Sequence, residues 1–587
     1  MANFRKCSFL MILFFAALIV SCGRVVKEPG VALGPSEEDW AGEALNKMTL
    51  EDKIGQMVAC RYSGRFVNRD SDYMKRLESL IVDRKIGGLI LFGGEVYESA
   101  YLTNTLQKLA KIPLLIASDF ERGAGNQIPS ATLFPPLMAV GATWTEEQAY
   151  FMGKITAFEA RALGIHMTYA PVVDVNINPD NPIINTRSFG EDPREVSRMA
   201  IAFIKGCQEN GLIATAKHFP GHGDTDLDSH SVLPTIGGDR SRLESVELYP
   251  FKLAIGAGVQ AIMTAHLHLP ALDPTPDVPA TLSPPIITDL LRKELGFQGL
   301  IVTDAMDMGG IANLYSPEEA ALKAVQAGVD MVLLPPGPDG VIESLIQAVR
   351  AGEVSESRVD ASVKRILEAK EWLGLHKNKL VNVDILDEKV SSKEHLLFAE
   401  SMFERAVTLV KNEGSVLPLS GEDQKIAVFS LSSDPGGYFA GRTFVREIQK
   451  RCPELIAFYA DAFTGEKFIQ EAIEKASRAD VLVFALFSSL GAWKGSVGLD
   501  SRHVQIIQEA EVNSTPVVVI SFGSPYFLRH FPDVDSYLCV YRWSSPAQKA
   551  AVKALFGEIN ITGRLPVSLP GLYPLGYGLT LYREEIP

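Results

Sequence analysis

The side chains best suited to chemistry in this 587-residue chain crowd into one stretch, 217–230, with the sequence KHFPGHGDTDLDSH. It holds one lysine, three histidines and three aspartates among glycines and a proline, directly after the apolar run LIATA. Six of the ten histidines fall between positions 166 and 268, so the clustering is more than composition. The alternation of Asp224, Asp226 and Asp228 resembles a calcium loop. Such a loop needs glycine after its third acidic ligand and glutamate at its twelfth position, where Ser229 and Thr235 stand. A zinc site from His222, His230, His266 and His268 lacks the H-E-x-x-H or paired-cysteine setting that usually accompanies one. No metal is therefore expected. Proton transfer by Asp228 and His230 fits better. Two residues apart on an extended loop, they point to one side and can hydrogen-bond, and a carboxylate beside an imidazole fixes its tautomer and orients it as a proton donor. Cleaving an acetal also requires a second, ionised carboxylate. Asp304 qualifies: it ends the run GLIVTD and would reach the same place, although alone it would read as a helix cap.

These residues must be positioned by something regular. Short apolar, β-branched runs recur at 54–61, 87–94, 113–121, 165–174, 212–220, 259–267, 299–306 and 329–336, separated by amphipathic stretches. Continuous apolar strands alternating with helices predict a parallel sheet covered on both faces. Eight units in this length fit a (β/α)8 TIM-type barrel better than an open doubly wound sheet. Nearly every run ends on a polar residue: Arg61, Asp119, Asp174, Lys217 with His218, His266, Asp304. In a barrel, strand C-termini face the loops that build an active site. A polar link and a smaller C-terminal α/β sandwich domain follow, with strands expected at 425–431, 480–487, 515–522 and 536–542. The expected divisions are 41–375 for the barrel, 376–399 for the link and 400–587 for the second domain.

Composition narrows the partners. With 47% hydrophobic and 22% charged residues the chain is globular. Its 71 acidic against 56 basic residues disfavour a phosphate backbone, so no nucleic-acid partner is expected. At the N-terminus, Arg5 and Lys6 precede an apolar run, 9–20, that ends at Ser21-Cys22-Gly23. This reads as a signal peptide over 1–21. The stretch before Cys22 resembles a bacterial lipoprotein box, which would make Cys22 the lipidated first residue, 22–40 a tether, and a lipid anchor the only membrane contact. The protein is thus expected to be exported, periplasmic or on the outer envelope. Cys60, Cys207, Cys452 and Cys539 have no paired spacing and read as buried, inert thiols. No motif bears on oligomeric state.

The stretch 217–230 is similar to the signature of family 3 glycoside hydrolases of the β-N-acetylglucosaminidase branch. That signature runs Lys-His-Phe/Ile-Pro-Gly-His/Leu-Gly, four variable residues, then Asp-Ser/Thr-His. Further resemblance lies in FPPLMAVGAT (134–143), APVVDVNINPDNPIINTRSFGEDP (170–193), IMTAHLHLPALD (262–273) and PATLSPPIITDLLRKELGFQGLIVTDAM (279–306). More weakly, GRLPVSLP (563–570) and YPLGYGL (573–579) are similar to the ends of two-domain members. The resemblance implies Asp304 as nucleophile, His230 as acid/base and Asp228 as its partner. It implies Lys217, His218 and Arg187 as ligands of the sugar hydroxyls and acetamido group, and Asp119 at the far edge of the ring. An oligosaccharide or glycan would be cleaved by retaining double displacement without a cofactor.

Two departures stand out. Where many members read Asp-Gln-Glu-Gly-Gly, this chain has Asp119-Phe120-Glu121-Arg122-Gly123, and Gln127 stands where cytoplasmic members carry an arginine. These leave the contacts of Glu121 and Gln127 open and point to a shifted preference at the non-reducing edge. His166, His222 and His268 read as packed histidines; Arg61 and Asp174 receive no role. A β-glucosidase or β-xylosidase of the same fold, a phosphorolytic variant, and a glycan-binding protein without chemistry are the competing readings. The Asp-x-His pair counts against the first, and retention of Asp304 and His230 against the last.

Overall fold

The computed structural model describes residues 39–421, 424–434, 437–488, 498–512 and 514–583. The expected leader, Cys22 and the expected tether up to residue 38 lie outside them. The described chain opens on Asp39, which accepts from Gly42 N and caps the first helix, Trp40–Asn46, so residue 40, expected to close the tether, is helical.

Eight parallel strands follow: β1 (Val58–Gly64), β2 (Gly88–Gly94), β3 (Leu115–Ser118), β4 (Met167–Thr168), β5 (Ile213–Phe219), β6 (Ala261–Thr264), β7 (Leu300–Val302) and β8 (Val332–Leu333). Neighbours pair in sequence order from β1 to β7, and β8 returns to β1. A parallel bridge between Val302 and Met331 closes the barrel. Helices between the strands cover its outside, so the strands are buried on both faces and read as apolar runs without alternation. All seven residues of β5 are buried, Lys217 and His218 included. The first run is the one that divides: 54–56 belong to the helix Leu50–Gln56, capped by Thr49 and Asp52, and the strand starts only at Val58.

A second sheet has the order β11 (Ile456–Ala460), β10 (Ile426–Ser432), β12 (Val481–Phe487), β13 (Val517–Ser521), β14 (Ser536–Cys539) and β9 (Thr408–Asn412). Only β9 is antiparallel, pairing with β14. Helices pack on both faces over two separate apolar clusters, giving the α/β sandwich. The stretch expected as a polar link is partly regular, because Ser392 caps a helix, Lys393–Ala406, that runs straight into β9.

The barrel helix Leu137–Ala142, buried along its whole length, joins one of these clusters. Ala142 O accepts from Arg564 N, and Pro566 O from Glu191 N (2.9 and 3.1 Å). The alternating, buried Leu565, Val567 and Leu569 thus explain why GRLPVSLP reads as it does: it is the strap between the two domains. This docking brings the C-terminal ends of β13 and β14 over the barrel mouth. Cys60, Cys207, Cys452 and Cys539 are buried and unpaired, and burial lifts the Cys60 thiol to about 12. Among the described residues, no helix is long and apolar enough to cross a membrane.

Candidate active site

A cavity of about 700 Å³ opens at the C-terminal ends of the barrel strands. Asp119, Arg187, Lys217, His218, His230 and Asp304 all line it, so the sequence-derived candidates converge. Asp228 stands behind His230 and is buried.

Asp304 follows β7. Its side chain accepts from Ala305 N at 2.8 Å. Burial pushes this carboxyl up, but His218, His266, the Ala305 N–H and Lys217 outweigh it and hold Asp304 below the ordinary carboxylate value. It is ionised at neutral pH. Tyr169, just past β4, is buried; burial first, and then the charges of Asp119 and Asp304, keep its hydroxyl protonated.

His230 reaches the site on a long loop, and two glycines show why the loop reads PGHG. Gly221 adopts φ +136° against the Glu247 side chain, and a Cβ on Gly223 would stand 1.8 Å from Val175 O. The Asp228 carboxylate accepts from His230 N (2.9 Å) and faces His230 Nδ1 (2.8 Å). With Nδ1–H donating to Asp228, Nε2 is the nitrogen able to exchange a proton. The loop is fastened to the one that carries Asp304. Gly309 N donates to His230 O at 2.8 Å and Gly310 N to Ser229 O at 3.0 Å. A Cβ on Gly309 would lie 2.7 Å from His230 O, so only glycine allows this approach. Those glycines, five and six residues past Asp304, escaped the sequence reading.

Asp174 does have a task. Fully buried, it accepts from His218 N, His218 Nδ1 (2.7 Å) and His222 N (2.7 Å), folding the strand end around itself. His222 Nε2 meets Ser229 Oγ at 2.8 Å, and burial pushes its pKa down to about 4. His266 lies between Thr281 Oγ1 and Ala305 O. Of the four histidines weighed as zinc ligands, His222, His230 and His266 therefore serve separate networks, and His268 Nε2 is buried without a hydrogen-bond partner among the described residues. Among the described residues, no group of three or more His, Cys, Asp or Glu is arranged to hold a metal. Arg61 is an exposed rim residue, paired with Asp307 at 3.2 Å and lying over Phe92.

Glu121 turns out to be central. Its Oε1 accepts from Arg187 Nη2 (2.7 Å) and meets Lys217 Nζ (2.8 Å), while Oε2 accepts from Arg187 Nε (3.1 Å). Burial opposes its charge, but the two cations prevail and hold it well below the usual range. Lys217 also reaches Asp119 Oδ1 at 2.9 Å. Asp119 and Glu121 both lie past the end of β3, and the Lys217 ammonium draws them to one side of the mouth. Gln127 accepts from Gly93 N at 3.1 Å and lines the cavity. From the second domain, Phe522, Tyr541, Arg542 and Trp543 also line it; no local motif marks them.

Behind the loop, Arg242 bridges Asp224 (2.6 Å) and Glu247 (2.9 Å). Burial raises the Glu247 carboxyl to about 7, against the pull of Arg242. The folded state thus holds this proton more tightly than the unfolded chain does. The stabilisation is complete below the unfolded value of 4.5 and is lost as pH rises through about 7. We expect Glu247→Gln, which imitates the protonated acid, to remove a fall in stability of roughly 2 kcal/mol across that window. Thermal melts of both proteins across the window would measure it; parallel Tm curves would refute it.

Barrels host many chemistries, so the class must come from the mouth. An ionised carboxylate and a carboxylate-held imidazole on interlocked loops, beside a row of hydrogen-bonding cations, are equipment for cleaving a glycosidic acetal. Sequence comparison gives the family. The profile of the glycosyl hydrolase family 3 N-terminal domain matches residues 49–369, and that of the family 3 C-terminal domain matches 407–574. The chain belongs to glycoside hydrolase family 3. It is 32% identical to beta-hexosaminidase A of Pseudoalteromonas piscicida, covering 84% of this chain and 91% of that one. It is 29% identical to a beta-N-acetylglucosaminidase/beta-glucosidase of Cellulomonas fimi, over 90% and 95%. The solved family 3 beta-N-acetylglucosaminidase of Paenibacillus sp. str. FPU-7 superposes with a TM-score of 0.80 at 31% identity, over 89% of this chain and 99% of that one.

Proposed function

We propose that this enzyme is an exported, retaining exo-β-N-acetylglucosaminidase. It removes terminal β-linked N-acetylglucosamine from cell-wall, chitin-type or related glycans. The observation that carries the reading is the Asp228–His230 pair, locked onto the loop of Asp304 through Gly309 and Gly310. In the first step the Asp304 carboxylate attacks the anomeric carbon while His230 Nε2–H protonates the departing oxygen, forming a covalent glycosyl-enzyme. In the second, His230 takes a proton from water as the water oxygen displaces Asp304, restoring the starting configuration. Asp119, Lys217, His218 and Arg187 hold the hydroxyls and acetamido group, their charges fixed in advance by Glu121 and Asp174. Cys22, in its lipoprotein-like setting, anchors the enzyme to the envelope.

The test is a comparison of kcat/KM on 4-nitrophenyl β-N-acetylglucosaminide and 4-nitrophenyl β-glucoside. A pocket that hydrogen-bonds the acetamido group should favour the first by about 10²-fold or more. Equal rates, or preference for the glucoside, would overturn the assignment.

A further inference from the structure

The charges lining the cavity leave a remainder. Arg61 is paired with Asp307, Lys217 with Asp119 and Glu121, and Arg187 with Glu121. Two cations have no acidic partner among the described residues: Arg122, on the loop after β3, and Arg542, just beyond β14 in the second domain. Arg122 Nη1 is wholly buried without a hydrogen-bond partner there. Glu121 attracts both by charge, but its hydrogen bonds and ion pairs go to Arg187 and Lys217. The two arginines also oppose each other. Burial and then the Arg122 charge lower Arg542 to about 9.

The backbone before Arg542 is held in an unusual conformation. Tyr541, immediately before Arg542, has φ +63°, a conformation that a bulky residue rarely adopts. Its hydroxyl is held by Thr408 Oγ1 at 2.9 Å. Such an outlier at a cavity wall persists only where the surroundings enforce it. Beside Arg542, the partly exposed Trp543 offers an aromatic face on which a sugar ring can lie.

We propose that Arg122 and Arg542 form an oxyanion-binding subsite at the seam between barrel and second domain, which selects for a carboxylate, sulfate or phosphate group. This specificity rests on the cavity being the glycosidase site. Two guanidinium forks supply paired donors to one oxyanion, the arrangement that makes arginine the preferred ligand of such groups. Arg122 stands three residues beyond Asp119, on the side of the cavity assigned to the non-reducing edge. The oxyanion is therefore a substituent of the terminal sugar, and inorganic phosphate serves as a probe of the subsite.

The probes are 4-nitrophenyl β-N-acetylglucosaminide, its 6-O-sulfate and inorganic phosphate, at ionic strength held constant with chloride. Phosphate should raise the Tm of the wild type well beyond chloride, and this shift should vanish in Arg122→Gln and Arg542→Gln while Arg542→Lys keeps part of it. Should the sulfated glycoside be preferred about tenfold or more by wild type but not by the Gln variants, the oxyanion belongs to the sugar. Release of a glycosyl phosphate in place of free sugar, lost in the same variants, would put the oxyanion at the anomeric carbon instead and overturn the placement at the non-reducing edge. The proposal falls if phosphate acts no differently from chloride on the wild type and both glycosides are turned over equally. Failure of the glycosidase reading looks different: neither glycoside would be cleaved, yet the phosphate shift would persist.

Discussion

Asp304→Asn should lower kcat/KM on an aryl β-N-acetylglucosaminide by about 10⁴-fold, since it removes the nucleophile and the charge that faces the developing oxocarbenium ion. The carboxylate sits where burial alone would protonate it, and His218, His266, the Ala305 N–H and Lys217 keep it ionised. Its environment is thus arranged for charge at neutral pH. The acid limb of the wild-type pH profile should accordingly lie below the ordinary carboxylate value. Asparagine keeps the shape and loses the chemistry. A second variant separates a nucleophile from a merely structural carboxylate. In Asp304→Ala, sodium azide should enter the vacated space, attack the anomeric carbon from the nucleophile's side and yield an α-glycosyl azide. Activity above about a tenth of wild type in the Asn variant, or no azide product from a folded Ala variant, would remove Asp304 from the reaction.

Much of this site was legible in the sequence because barrel topology converts a one-dimensional regularity into a place. Polar residues ending successive apolar runs had to meet at one mouth, and Asp119, Lys217, His218 and Asp304 do. The glycines flanking His222 and the Asp-x-His spacing are local constraints, so they too survive in one dimension. Two strands escaped notice for a physical reason. β11 sits at the sheet edge with Ile456 exposed, and its short apolar run cannot be told from a helix segment by periodicity; β9 is an antiparallel strand appended after a helix, without its own turn signal. What could not be read were contacts set by tertiary closure: Gly309 and Gly310 receiving the His230 loop, Glu121 joining Arg187 to Lys217, and Arg542 arriving from more than 400 residues away. No spacing rule links such residues. Arg122 was visible as a departure from a pattern, but its meaning depended on Arg542.

The second large effect concerns how the proton moves. His230→Ala should reduce kcat/KM on a poor leaving group about 10²- to 10⁴-fold, the range expected when a positioned acid is removed. The loss should shrink with leaving-group acidity. A dinitrophenyl glycoside departs without protonation, so its first step is spared while water attack on the glycosyl-enzyme still lacks a base. A burst of phenol followed by a slow steady state is the expected signature, and a structural histidine would not produce it. Asp228→Asn tests the partner. The same Oδ1 accepts from His230 N and faces Nδ1, so the amide would keep its oxygen there and preserve both contacts and the tautomer, but without a carboxylate's charge to stabilise the imidazolium that forms when water gives up its proton. Water activation should then suffer more than leaving-group protonation, reversing the emphasis expected of a plain acid. Because Asp228 acts only through His230, the double variant should be little worse than His230→Ala alone. Multiplying losses in that cycle would mean that Asp228 contacts the sugar itself, and the pair would have to be redrawn as two independent groups.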